Sequence, residues 1–399
     1  MLPLTGLRII AVEQYGAGPF GTQHLADLGA EVIKVEDPAL GGDVSRSVGP
    51  YFIDGDDSNA SSLLFQGLNR NKRSIALDLA SDGGRQVFHD LVRTADAVAG
   101  NNRGDVQDKL GLNYAALGKI KPAIVCAHLT GYGREGERAT WPGYDYLMQA
   151  ETGYFSVTGE PDGPPARMGL SIVDFMSGSY MALGIVASVL QARQTGIGRD
   201  VDVTLFDTAL YNLNYLATWY LGTGHNQGRE LRSAHPSLTP CQLYTTKDGW
   251  IYLMCNKEKF WGVLCAKIGR EEWAEDERFR RFPDRLENRD LLTEMLDGAL
   301  SAKTTAQWMD LFAGAVPAAP LNDVAQALEN PYVTERDRVR ELTQPGGQKT
   351  RVLAPPIHFA GETYELAPAP ILGGDTDDLL DELGYDAETQ ATLRETGVG

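Results

Sequence analysis

LRIIAVEQYGAGPFGTQHLADLGAEVIKVE, residues 7–36, decides the fold. Residues 7–12 form a short apolar run of strand length, and residues 16–21 (GAGPFG) are a glycine-punctuated turn. A helical pattern follows as far as Leu28 and Gly29, and Glu31–Glu36 reads as a second strand. Strand, helix and strand in that order make a βαβ unit, whose parallel strands belong in a sheet covered on both faces. Further strand-like runs at 74–79, 96–99, 123–129 and 200–205 alternate with helical stretches such as 83–94, so this part of the chain is α/β.

The turn itself allows two uses. GAGPFG is a literal G-x-G-x-x-G between strand and helix, and Glu36 ends the next strand, where a dinucleotide-binding fold keeps its ribose acid. An NAD(P)- or flavin-dependent oxidoreductase is therefore one alternative. Against it, Pro19 removes a backbone donor, and no His, Lys or Tyr stands out as a hydride-transfer partner. A tight turn that packs helix on strand explains the same glycines. A second choice stays open at residues 69–73, where Asn69, Arg70, Asn71, Lys72 and Arg73 form the densest basic cluster of an acidic chain. It is either a solvated charge run or a loop at a strand end that holds an anion.

Farther along, residues 171–194 carry apolar residues at three- and four-residue spacing and stop at Thr195-Gly196, which predicts a long helix with Asp174 in its first turn. Unpaired N–H groups and the positive end of the helix dipole there favour the ionised carboxylate, as a nucleophile requires. Ser171 and Asp174 also match S-x-x-D, a helix cap. From these residues alone both uses stand.

Residues 206–220 continue as helix, and 222–240 form a Gly-, His-, Ser- and Pro-rich connection. A hairpin is expected from 241–246 and 250–255 around Lys247-Asp248-Gly249, then helices from 257 to about 329. Strands are expected at 339–342 and 351–353, and a short helix at 376–384. The division read from the sequence is a large domain over 1–221, a smaller α+β domain over 222–337 and a C-terminal segment over 338–399.

Composition narrows the function. A net charge of −18 over 399 residues, with a pI near 4.8, repels nucleic acid and anionic membranes, so any anionic ligand needs a local cluster. Cys126, Cys241, Cys255 and Cys265 show no C-x-x-C spacing, which suits reduced thiols and a cytoplasmic protein. The histidines include no H-E-x-x-H, so no metal site is expected. The N-terminal residues lack a signal-peptide core, and the longest apolar run, 180–190, is about half a membrane span.

Taken together, the segments GPFGTQHLADLGAEVIKVEDP (18–38), GDVSR (42–46), NRNKRSIALDL (69–79), PGYDYLMQAETG (142–153), TGEPDGPPARMGLSIVDFMSG (158–178), TGIGRDVDVTLFD (195–207) and LGYD (383–386) resemble the class III CoA-transferases, the family of formyl-CoA transferase and carnitine CoA-transferase. The match runs nearly end to end and in the family's order. The resemblance implies that Asp174 is the catalytic nucleophile, passing through an aspartyl mixed anhydride and an aspartyl-CoA thioester. Coenzyme A is then a substrate and no permanently bound cofactor is needed. Acyl-CoA, with succinyl-CoA or another dicarboxylyl-CoA as donor, and a small free carboxylic acid are the implied partners.

For CoA contacts the resemblance points to Gly16, Ala17, Arg46, Asn69, Asn71, Lys72, Arg73, Asn101, Asn102, Arg103 and Lys109. Asp145, Tyr144 and Gly16 are the supporting residues, and the turn at 16–18 could offer N–H groups to a developing oxyanion. Arg167 and His235 could meet a second carboxylate, although surface and strand-end roles suit them better. Formyl-CoA transferases carry Gln where Gly16 stands, Lys where Pro142 stands, and a tetraglycine loop that 222–240 lacks, which argues against formyl or oxalate transfer. The family's 2-methylacyl-CoA racemases, the other alternative, use a histidine that would fall at Tyr144, and a phenol is a poor base at neutral pH. The family fold implies a Rossmann-like large domain and an interlocked homodimer.

Overall fold

The computed structural model describes residues 1–55, 61–363 and 365–399. They divide into two compact units: Met1–Thr152, Gly169–Asn214 and Thr334–Gly399 in the first, Gly153–Met168 and Tyr215–Val333 in the second.

Unit 1 is built on six strands: β1 (Arg8–Val12), β2 (Glu31–Glu36), β3 (Lys72–Ala76), β4 (Ala97–Gly100), β5 (Val125–Thr130) and β6 (Arg199–Thr204). They lie in the order β3-β2-β1-β4-β5-β6, and every pairing is parallel. The strand order reverses between β1 and β4, the point at which open α/β sheets leave a crevice for ligands. β4 and β5 are buried along their whole length and β1 nearly so, as central parallel strands covered on both faces must be. Behind them Ile10, Ile33, Ile75, Phe88 and Leu91 share a core with Leu379, Leu380 and Val398 from the far end of the sequence.

β3 begins two residues before the strand expected at 74–79, since the lysine and arginine that read as loop are strand residues paired to buried or half-buried acids. The returning segment covers this edge. Ser74 N–H donates to Asp375 Oδ2 at 2.8 Å, Ala76 N–H to Thr376 Oγ1 at 3.1 Å and Gly399 N–H to Ala76 O at 3.1 Å. Beyond the expected terminal helix, found at Thr376–Glu382, lies a second at Ala387–Glu395 capped by Asp386.

The long helix spans Ile172–Thr195 and ends where glycine permits a left-handed residue, Gly196 at φ 73°. At 24 residues, with a mean hydropathy of 1.5 in its most apolar window, it is long and apolar enough to cross a membrane, contrary to the expectation from the 180–190 run. In unit 1 one face of it instead packs on the Ala17–Asp27 helix and on β5 and β6.

Unit 1 also holds the hairpin of β10 (Val339–Thr343) and β11 (Lys349–Leu353). Unit 2 contains the expected hairpin, β7 (Cys241–Thr245) with β8 (Trp250–Met254), and a third strand, β9 (Ala318–Pro320). β9 interrupts the succession of helices expected to about 329. Pro317 and Pro320 end the helical pattern there, and an edge strand tolerates the missing donor.

Candidate active site

The turn after β1 enters the Ala17–Asp27 helix directly, with Gly16 as N-cap. Pro19 falls at its third position, where the N–H has no intrahelical acceptor in any case, so the missing donor loses nothing. The glycines serve close approach. A Cβ on Gly16 would lie 2.7 Å from Asp174 Oδ2, and one on Gly18 would lie 2.8 Å from Asn101 Cγ. Gly21 meets the long helix rather than a strand: its Cβ would lie 2.4 Å from Gly178 O, and a Cβ on Gly178 would lie 2.4 Å from Ala17 O. The two helices thus touch backbone to backbone one turn beyond Asp174, a contact that fixes Gly16 against the carboxylate.

The expected Ser171 cap does not form. Asp145, first residue of the Asp145–Glu151 helix, caps the long helix instead: Asp174 N–H donates to Asp145 Oδ2 at 2.9 Å, and Gln149 Nε2 donates to Asp145 Oδ1 at 2.6 Å. Asp174 is 9% exposed. Burial, with Asp145 adding like-charge repulsion, pushes its carboxyl up to about 7. The first-turn position therefore does not hold the group firmly ionised, as the dipole argument expects, because burial disfavours the charged form. Beside it Phe175 packs on Phe20, ring centroids 4.6 Å apart. Tyr144 is 63% exposed, next to Asp145 in sequence.

Asn101 and Asn102 lie just past β4 and hold the turn. Asn101 brackets Gln14, accepting from its N–H at 2.8 Å and donating to its carbonyl at 2.7 Å, while Asn102 Nδ2 donates to Val12 O at 3.3 Å. Arg103 pairs with Asp105 at the surface, and Lys109 is an exposed neighbour of the same acid. Between them and the strand ends lies a cleft of about 240 Å³, lined by Gln14, Asp37, Leu77, Leu79, Asn102 and Val106 among others.

The basic cluster is neither a solvated run nor a free anion loop. Arg70 forks onto Asp27, and Asn71 Nδ2 donates to the same carboxylate at 2.7 Å. Lys72 Nζ is fully enclosed and donates to Glu13 Oε1, Pro19 O and Asn69 Oδ1 at 2.8, 2.9 and 2.9 Å. Burial pulls it down to about 8, Glu13 opposing. Arg73 bridges Glu31 and Glu382. Arg46 makes a two-point contact with Glu36, at 2.7 and 2.8 Å, and stacks 3.9 Å over Phe65. These cations answer acids of the same chain. Glu36, with both oxygens on Arg46, is committed too, which removes the ribose acid of the dinucleotide alternative.

In unit 2, Arg167 Nη1 donates to Met168 O at 2.9 Å, and His235 stacks on Tyr215 and accepts from Ser237 N–H at 3.1 Å. Glu13 lies outside every motif, and Lys34, Asp43 and Gly178 lie inside motifs that gave them no role of their own. Their significance lies in which neighbours the sheet and the helix crossing bring them, and no spacing rule carries that information.

The sequence matches the profile of CoA-transferase family III over residues 4–376. It is 38% identical to the acetyl-CoA:oxalate CoA-transferase of Acetobacter aceti, over 93% of each chain. It is 33% identical to the succinyl-CoA:glutarate CoA-transferase of Mus musculus, over 100% of this chain and 90% of the relative. Among solved structures, a CAIB/BAIF family protein from Brucella suis aligns with a TM-score of 0.82 at 33% identity, covering 96% of this chain and 99% of the other.

Proposed function

The chain belongs to CoA-transferase family III, and from that premise we propose that it moves coenzyme A from a dicarboxylyl-CoA to a small dicarboxylic acid through covalent intermediates on Asp174. As a CoA-transferase it exchanges CoA between an acyl thioester and a carboxylate. The observation that carries the finer reading is the enclosed Asp174 carboxylate with Gly16 pressed against it.

In the proposed cycle a carboxylate oxygen of Asp174 attacks the thioester carbonyl, the C–S bond breaks and CoA leaves as the thiolate. The resulting mixed anhydride is opened at the aspartyl carbonyl by that thiolate, which releases the donor acid and leaves an aspartyl-CoA thioester. The acceptor carboxylate attacks this thioester, and CoA thiolate returns to the acceptor's carbonyl and frees Asp174. Each addition puts negative charge on a carbonyl oxygen. Ala17 and Gly18 begin a helix, so their N–H groups have no intrahelical acceptor and are the donors assigned to it.

CoA itself is assigned to the cleft at the strand ends. Its acidic and apolar lining suits a nucleoside with amine and hydroxyl donors better than phosphates. The phosphates are assigned outward to Arg103 and Lys109, with Asn101 and Asn102 beneath; Arg46 and Lys72 act from behind the cleft, on its lining acids Glu36 and Glu13. Succinyl-CoA is the first donor to test. Oxalate and glutarate, which appear in relatives' names, are the first acceptors to test, oxalate despite the departures at Gly16 and Pro142. A homodimer and a cytoplasmic location complete the proposal; four buried free thiols support the latter.

The test is a matrix of acyl-CoA donors against free carboxylic acids read by mass spectrometry, with hydroxylamine added to trap the intermediate. A hydroxamate on Asp174 and transfer to at least one dicarboxylate are expected. Transfer that proceeds undiminished in Asp174→Ala would overturn the nucleophile assignment.

A further inference from the structure

The GDVSR motif contributes a second acid whose function the reaction does not use. Asp43 is 3% exposed and stands within 2.8 Å of Lys34 Nζ, itself wholly buried. Its other oxygen accepts three hydrogen bonds: Ser45 N–H at 2.8 Å, Ser45 Oγ at 2.7 Å and, from the turn after β1, Tyr15 N–H at 3.0 Å. Lys34 Nζ also donates to Glu13 O at 3.0 Å. Three consecutive peptides of this turn are therefore held by side chains from elsewhere in unit 1: Glu13 by Lys34, Gln14 by Asn101 and Tyr15 by Asp43.

Tyr15 explains what the clamp is for. Its φ is 69°, a left-handed conformation that a bulky residue avoids and that persists only where the surroundings enforce it. The next residue is Gly16, against Asp174 Oδ2. If Tyr15 relaxed to an ordinary negative φ, the chain direction at Gly16 would change. The start of the Ala17–Asp27 helix would then lose its place beside the carboxylate.

We propose that Asp43, anchored by Lys34, is a positioning residue for transfer: by holding Tyr15 in its left-handed conformation it sets the turn at Gly16–Gly18 against Asp174. The inference rests on Asp174 as nucleophile for its effect on turnover, though not for its effect on the turn. Burial pushes the Asp43 carboxyl up, but Lys34 and the Tyr15 and Ser45 N–H groups hold it below the usual range, so it enters the clamp ionised.

The experiment combines steady-state kinetics with amide hydrogen exchange on the peptide containing residues 13–18, for Asp43→Ala, Asp43→Asn, Tyr15→Gly and the Asp43→Ala/Tyr15→Gly pair. Asp43→Ala is expected to lower kcat roughly a hundredfold, the scale of a misplacement of about 1 Å, with faster exchange in 13–18; KM for acyl-CoA changes less than kcat, although Asp43 also lines the cleft assigned to CoA. Asp43→Asn keeps an acceptor for Tyr15 N–H but turns an amide NH2 towards Lys34 Nζ, so it is expected to lose less kcat than Asp43→Ala while exchange in 13–18 rises less. In the pair, glycine adopts φ near +70° without help, and at least a tenfold recovery of kcat is expected. Unchanged kcat and exchange in Asp43→Ala, or no recovery in the pair, would overturn the proposal. Should Asp43→Ala not fold, an Asp43→Asn variant whose kcat falls while exchange in 13–18 stays at the parental rate would also overturn it. If the parent enzyme traps no adduct on Asp174 while exchange still responds as expected, the nucleophile assignment fails and the clamp stands.

Discussion

Burial and the Asp145 carboxylate lift Asp174 to about 7, so near neutral pH the group is divided between acid and nucleophile. Only the carboxylate attacks, so kcat/KM is expected to rise with pH through an apparent pKa near 7 and level off above it. Asp145→Asn removes the like charge but keeps an acceptor for Asp174 N–H, and its acid limb should move to lower pH; an unmoved limb would show that Asp145 does not act on Asp174 through charge. The same shift has a stability sign. The folded pKa lies above the ordinary aspartate value of 3.8, so the unfolded chain ionises first, and stability is lost as pH rises from about 4 through 7. Asp174→Asn should therefore melt above the parent at pH 8 by several degrees, and the gap should close towards pH 4, as scanning calorimetry would read. The sequence brought Asp174 forward through its place at a helix head and through the family resemblance. Its protonation was not legible, because the residues that bury and repel it, Gly16 and Asp145, are set beside it by the fold.

Two helices cross at Gly21 and Gly178, and there the packing is set by backbone rather than side chains. A Cβ on Gly178 cannot be absorbed by a rotamer change, because the atom it meets is Ala17 O at 2.4 Å. Gly178→Ala should push the helices apart, costing about 1–3 kcal/mol of stability and lowering kcat more than it raises KM. Chemical denaturation and steady-state kinetics on the same preparation check both, and an alanine variant with parental kcat would show that the crossing does not position the site. The elements themselves were largely readable: βαβ periodicity, the glycine stop at 196 and the 241–255 hairpin all rest on local rules. Local rules mislead where a charged side chain is buried. Lys72 and Arg73 look like a loop because lysine and arginine are seldom buried, and only the partners Glu13, Glu31 and Glu382 make them strand residues. Likewise S-x-x-D is a local cap signal, but the acid that takes Asp174 N–H comes from residue 145.

Whole-molecule organisation was legible as a class, and the boundaries read at 222 and 338 lie close to the unit boundaries at Tyr215 and Thr334. An α/β sheet followed by an α+β region follows from periodicity, whereas residues 153–168 grouping with 215–333 is settled by contacts no pattern encodes. The proposed homodimer belongs at this scale. The Tyr215–Thr223 helix (YLATWYLGT) has no buried residue, and Leu183 and Leu190 on the long helix are 64% and 61% exposed. Apolar surface of this extent is the material of subunit contacts. If the subunits interlock, dissociation and unfolding should coincide; sedimentation at decreasing concentration that shows a folded monomer would contradict that arrangement.

The cover on β3 carries a consequence for how the protein is made. Ser74 and Ala76 leave the ribosome some three hundred residues before Asp375 and Thr376, their hydrogen-bond partners. At about 5–20 residues per second, the sheet edge stands bare for roughly 15–60 seconds of translation. A bare edge can pair with another chain, so the nascent protein is at its most aggregation-prone before its last tenth emerges. Slowing synthesis over 300–370 should lower the soluble yield, while faster codons there should raise it.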